Sequence, residues 1–325
     1  MRRREFISLV GGAALWPRLA NAQGPIRTVG VLTSNIPGDW GAQSRVQALR
    51  QGLADLGWVE NSNLILDVRY PGPDLARQQH DARELIAMAP DALVATSTPT
   101  ARVLRDLTRT IPIVFVGLSD PVTTGIVSNL AHPEGNVTGF TLYEHTLAGK
   151  WMTLLKDMAP QLSHVAVLFN PDTAAYAPFY FRYAQTSGER LGLKVTAASV
   201  RDTATLASAI TAAGDGRGGL VVLPDGGFFA QNSAIAISLA ARYRVPAIYS
   251  VRFYAANGGL MSYGADLTSQ FRDGAVYVDR ILRGASPREL PVQFATSFEL
   301  VINMKVAGAL GLTVPQRLLV DAELI

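Results

Sequence analysis

The chain has 325 residues, 48% of them hydrophobic, with no cysteine and a formal net charge of +3. That length and apolar content suffice for two domains with their own cores. The lack of cysteine excludes disulfides, thiolate catalysis and cysteine-ligated metals.

The N-terminus is set apart first. Met1-Arg2-Arg3-Arg4-Glu5-Phe6-Ile7 places an arginine pair ahead of an apolar run that reaches Leu15, and Ala20-Asn21-Ala22 is a small-x-small cleavage site. Residues 1–22 therefore read as an export leader of the twin-arginine kind, cleaved near Ala22-Gln23. Its apolar run is too short to anchor in a bilayer. The leader holds four of the 29 basic residues and one of the 26 acidic ones, so the remainder is close to neutral. A neutral remainder gives no support for nucleic-acid binding, which needs a basic stripe.

Thr28–Thr33 reads as a buried strand, followed by a loop at Ser34-Asn35-Ile36-Pro37-Gly38 and a helix from about Ser44 to Leu56. Leu64–Tyr70 alternates as a strand, and Asp74–Met88 is helical. Ala92–Ala95 is a short apolar strand that runs through Thr96-Ser97 into Thr98-Pro99-Thr100. Ser97 or Thr98 suits an N-cap and Pro99 the first helical turn, so a helix starts where the strand ends. Its free N–H groups are expected to hold an anion, with a solute carboxylate placed on Thr98 and Thr100. Ile113–Gly117 and Val137–Thr141 are further strands, the first running out into Ser119-Asp120-Pro121.

A second unit repeats the plan. Val165–Asn170, Lys194–Ser199, Gly219–Leu223 and Val245–Tyr249 read as strands. Helices at about Pro178–Leu191, Thr203–Ala213 and Ala230–Tyr243 separate them. Strands alternating with helices of this size predict parallel sheets covered on both faces. The tail adds a strand at Gly259–Gly264, a long helix at Leu267–Leu282, an extended stretch at Pro291–Asn303 and a last helix at Lys305–Leu310.

Several segments resemble the ABC-transporter substrate-binding proteins of the tryptophan/tyrosine-binding type, within the type I periplasmic binding protein fold. They are Ser97-Thr98-Pro99, Ile111–Phe115 with Ser119-Asp120-Pro121, Gly135–Phe140, Leu168-Phe169-Asn170-Pro171, Leu223-Pro224-Asp225, Leu260–Gly264 and Phe298–Asn303. They span nearly the whole chain after the leader, in one order. The resemblance implies an α/β fold of two doubly wound, Rossmann-like lobes joined by a three-crossing hinge. It implies a first lobe of residues 25–141 plus 259–290 and a second of 142–258 plus 291–325. It also implies a periplasmic, monomeric solute receptor that needs no cofactor and delivers one small amphoteric molecule to inner-membrane permease subunits.

In such open sheets the carboxyl-end loops face the ligand. The expected ligand residues are Ser34, Asn35, Ser97, Thr98, Thr100, Asp120 and Thr141 from the first lobe. Tyr143, Asn170, Tyr176, Asp225 and Tyr249 are expected from the second. Asp120 or Asp225 would balance an ammonium, and Tyr143 and Tyr249 would wall an aromatic or apolar side chain. The glycine-rich Gly214–Gly219 precedes a strand instead of opening a helix, so it is read as a turn and not a phosphate loop. His80, His132, His145 and His164 are scattered without metal-ligand spacing and are expected at surface or loop positions. No Ser-His-Asp grouping or Gly-x-Ser-x-Gly elbow occurs. A sensor subunit docking on a membrane receptor, or an exported enzyme on the same scaffold, are the alternative readings.

Overall fold

The computed structural model describes residues 25–142, 144–214, 216–225 and 228–325, so the leader lies outside the described residues. The chain opens with β1 (Arg27–Leu32), α1 (Trp40–Asp55), β2 (Leu64–Arg69), α2 (Leu75–Ala87), β3 (Ala92–Ala95), α3 (Thr98–Leu107), β4 (Ile113–Leu118) and β5 (Val137–Thr141). Helix α4 (Leu147–Met158) leads into β6 (His164–Phe169), α5 (Ala177–Arg190), β7 (Lys194–Ser199), α6 (Thr203–Ala212), β8 (Gly218–Val222), α7 (Phe228–Gln231), α8 (Ser233–Arg242) and β9 (Ala247–Tyr249). The tail holds α9 (Arg252–Ala256), β10 (Met261–Ala265), α10 (Leu267–Leu282), β11 (Gln293–Phe294), β12 (Phe298–Ile302), α11 (Met304–Leu310), α12 (Gln316–Leu319) and β13 (Ala322–Leu324).

These elements build a two-lobed α/β molecule with two sheets, as expected. The first sheet has the order β11-β5-β4-β3-β1-β2 and the second β13-β12-β10-β9-β8-β6-β7. Every pairing is parallel except that of β10 with β12. Parallel strands need both faces covered. Leu49 and Leu53 of α1, with Phe271 and Val278 of α10, cover one face of the first sheet over Val29, Val31, Val94 and Val116. Helices α2 and α3 cover the other through Leu85 and Leu104, against Leu93 and Phe115. In the second sheet α4 and α5 bury Trp151, Leu155 and Tyr180 on one face. Helices α6 and α8 bury Leu206, Ile210 and Ile237 on the other.

Three differences from the sequence reading matter. Helix α1 starts at Trp40 instead of Ser44, because Asp39 is its N-cap and accepts from the Ala42 N–H at 2.8 Å. Helix α4 was not expected at all. Its N-cap residue, Thr146, makes no capping hydrogen bond. The third difference is a correction to the lobe boundaries. Strand β10 was expected in the first lobe, yet it sits in the second sheet between β9 and β12. The tail enters the first lobe only with α10, and β11 extends the first sheet beside β5 although it was expected in the second lobe.

The three connections between sheets therefore leave after β5, after β10 and after β11. They meet at Thr141. Its carbonyl accepts from Gln270 Nε2 at 2.9 Å and from the Ala295 N–H at 3.1 Å, and its hydroxyl donates to the Leu118 carbonyl at 2.8 Å. All three connections start from the carboxyl ends of strands paired in parallel with a neighbour. The carboxyl ends of both parallel sets thus gather at the hinge and face each other across a cleft.

Candidate functional site

The first sheet brings three strand ends to that cleft. After β1, Thr33 Oγ1 accepts from the Asn35 N–H at 3.3 Å, and Asn35 Nδ2 donates to Asp39 Oδ2 at 2.9 Å. Ser34 and Asn35 keep part of their surface exposed. After β3, Ser97 caps α3 in a reciprocal box. The Thr100 N–H donates to Ser97 Oγ at 3.4 Å, and the Ser97 N–H donates to Thr100 Oγ1 at 3.1 Å. Thr100 is fully buried and its hydroxyl also donates to the Ser97 carbonyl at 3.0 Å. The donors of Thr100, expected to grip a carboxylate, serve the cap. Pro99 has no N–H to offer, so among the described residues only Thr98 keeps a backbone donor and a hydroxyl without a partner at this helix start.

After β4, Gly117 takes φ +81° and the β4–β5 register shifts between Val116 and Leu118. Such a bulge re-aims the strand end, and it delivers Asp120, itself at φ +42°, to the cleft mouth. Asp120 Oδ1 accepts from the Thr123 N–H at 3.0 Å, and Oδ2 lies 2.9 Å from His145 Nε2. Burial pushes the Asp120 carboxyl up. The hydrogen bonds from His145 and Thr123 outweigh it and hold the pKa below the ordinary value. His145 stacks on Phe179 with centroids 5.1 Å apart and meets the edge of Tyr180 at 5.0 Å. It belongs to the first connection yet packs on α5, so this bond ties one sheet's rim to the other's cover.

From the second sheet, Asn170 ends β6 as a turn residue whose Oδ1 accepts from the Asp172 N–H at 2.8 Å. Asp225 follows β8. Its Oδ2 accepts from Thr173 Oγ1 at 2.9 Å and from the Phe229 N–H at 3.2 Å. Three of the expected contacts lie in the interior. Thr141 is buried at the hinge with its hydroxyl committed to Leu118. Tyr176 is buried and its hydroxyl donates to the Pro224 carbonyl. Tyr249 stacks on Tyr254 at 4.7 Å within the core under α8, and that burial raises its pKa. Tyr143 lies outside the described residues. Phe179 and Phe253 are exposed.

The family described as ABC transporter substrate binding protein matches residues 34–325. The chain belongs to that family. The ABC substrate-binding family is one of binding proteins and not of enzymes. A "tyrosine-binding protein" of Clostridioides difficile strain R20291 is 24% identical over 266 residues, covering 81% of this chain and 75% of its own. A "conserved domain protein" of Vibrio cholerae is 30% identical with a TM-score of 0.81, covering 92% of this chain and 99% of its own. The ABC domain from Streptococcus pneumoniae crystallised with L-Trp is 24% identical with the same TM-score and the same two coverages.

Sequence reasoning passed over two polar residues of this ABC substrate-binding protein. His145 looked like one scattered histidine among four, and its partner is 25 residues away. Arg45 lay at the assumed start of α1, where an exposed arginine is unremarked. In the structure it is half-buried on the second turn, and burial lowers its pKa against the opposing pull of Asp39 and Tyr70. The missed signal was Asp39 as an N-cap, which moves the helix start to Trp40. His80, Asp81 and Glu84 lie close together on the exposed side of α2, where Glu84 is taken by Arg69 at 2.7 Å. Among the described residues, no helix is long and apolar enough to cross a membrane.

Proposed function

We propose that this family member is the periplasmic receptor of an ABC importer, exported through its twin-arginine leader. It closes two lobes over one small amphoteric solute of the aromatic amino acid class and hands it to inner-membrane permease subunits. The observation that carries this reading is the convergence of both sheets' carboxyl ends on a three-connection hinge. That is an arrangement for two rigid bodies that shut on a guest, and closure is a population shift driven by contacts made to both jaws. The aromatic class is supported by what the relatives' names say of them, tyrosine in one and L-Trp in another. Ser34, Asn35 and Thr98 serve as polar contacts from one side, with Asn170 and Asp225 opposite. Tyr143, which follows Thr141-Leu142 in sequence, is proposed to wall the guest. The first lobe is the β11-to-β2 sheet with its helices, and the second is the remainder.

Calorimetric titration of the chain from Gln23 onward with L-tyrosine, L-tryptophan and the other amino acids tests this. Saturable one-to-one binding of an aromatic amino acid is expected, with a smaller radius of gyration by X-ray scattering on saturation. No heat from any aromatic amino acid would remove the proposed class. Binding without any change in scattering would remove the closing receptor.

A further inference from the structure

Arg45 is a charged group without an ion pair. Among the described residues it makes no salt bridge and no hydrogen bond through its guanidinium, although it is half-buried. A guanidinium withdrawn from water and left unpaired is costly. Its place explains what it waits for. Side chains on a helix lean toward the N-terminus, so Arg45 reaches back over the first turn of α1, toward the carboxyl ends of β1 and β2. There it meets the bare Cα of Gly41. A Cβ on Gly41 would sit 3.6 Å from Arg45 Nη1 and 3.4 Å from Asp39 Oδ1. The two opposite charges thus flank one notch without bonding across it. Asp39 is fixed by the Ala42 N–H and by Asn35 Nδ2. Tyr70, which senses both Arg45 and Asp39, also lines an open cavity of about 450 Å³ with Gln43, Ser44, Gln47 and Arg50. Arg50, which lines that cavity, is engaged with Glu60 at 2.7 Å.

We infer that Arg45 and Asp39 form the head-group subsite of the cleft, with Arg45 holding the solute's carboxylate and Asp39 facing its ammonium across Gly41. This rests on the receptor reading above and moves the anion from the start of α3, whose donors are spent on its own cap, to the start of α1. An arginine fork fits a carboxylate with two parallel hydrogen bonds, and binding would replace the solvation that Arg45 gave up on folding.

The test compares L-tryptophan, tryptamine and indole-3-propionate on wild type, Arg45→Gln and Asp39→Asn by calorimetry, with the ligand-free thermal midpoint of each. Wild type is expected to bind L-tryptophan best. Arg45→Gln is expected to lose about 10- to 100-fold for L-tryptophan, the range of a hydrogen-bonded charge, and nothing for tryptamine. Asp39→Asn, which keeps the cap, is expected to weaken L-tryptophan and leave indole-3-propionate unchanged. The midpoint of ligand-free Arg45→Gln is expected to equal or exceed that of wild type, because an unpaired charge has been removed. Equal L-tryptophan affinity in wild type and Arg45→Gln overturns the inference alone. A clear fall in the ligand-free midpoint of Arg45→Gln also overturns it, since Arg45 is then structural. If wild type ignores L-tryptophan but binds another amino acid in an Arg45-dependent way, the subsite stands and the aromatic class falls. If no carboxylate-bearing amino acid binds wild type, both fall.

Discussion

Replacing His145 by alanine cuts the bond between the first sheet's rim and the second sheet's cover. The imidazole Nε2 lies 2.9 Å from Asp120 Oδ2, with the carboxylate 8% exposed and the ring 30% exposed. A hydrogen bond to a charged group contributes about 1.5–3 kcal/mol, and partial exposure of the ring puts this one at the lower end. The ring contacts with Phe179 and Tyr180 add roughly 0.5–1.5 kcal/mol each. The expected loss is about 2.5–4.5 kcal/mol, or a fall of roughly 5–9 °C in the thermal midpoint of a chain this long, at about 2 °C per kcal/mol. His145→Gln keeps a donor and loses the stack, and His145→Phe does the reverse, so each should recover about half. The acid limb gives a second readout. The pKa of Asp120 is held below its ordinary 3.8 in the folded state. Its contribution is therefore complete above that value and is lost as pH falls through the lower folded value. The stability gap between wild type and Asp120→Asn should be present at neutral pH and shrink below pH 3.8. A His145→Ala midpoint within a degree or so of wild type would refute the reasoning, and so would a gap that widens in acid.

Four other substitutions separate scaffold from site. Gly139→Ala forces a Cβ to 2.0 Å from the Phe115 carbonyl oxygen at φ +151°, which should cost on the order of 4 kcal/mol or more and remove soluble protein. Gly308→Ala, where a Cβ meets nothing, should stabilise α11 by up to about 1 kcal/mol, as read from urea midpoints. Ser97→Ala breaks the α3 cap and should cost about 0.5–2 kcal/mol in the same assay. Tyr249→Phe should leave solute affinity within about twofold of wild type, because the ring is interior; a larger loss measured by calorimetry would return Tyr249 to the cleft wall.

The alternation of apolar runs with capped helices made the two sheets legible, since each strand and each cap is a local signal. Asp74, Ser97, Asp202, Asp266 and Asn303 all cap the helices that follow them. Helix α4, which lacks a side-chain cap, was passed over. The lobe assignment of β10 was hidden as well. Nothing in Met261–Ala265 says which sheet it joins, because its partners Ile248 and Val301 are set by tertiary pairing. The site was legible as a set of loops and not as contacts. Whether a polar residue faces a guest depends on what else its donors serve. Thr100, Thr141 and Tyr176 spend theirs on the protein, while Arg45 spends none.

The carbonyl of Thr141 has a mechanical consequence. It receives one hydrogen bond from the start of α10 and one from the segment just after β11, while Thr141 itself ends β5. All three strands of the tether are thus pinned to a single oxygen. Jaws hung this way cannot slide past one another or twist on one strand while the others stay slack. Any rotation of one lobe against the other would have to pass through this shared oxygen.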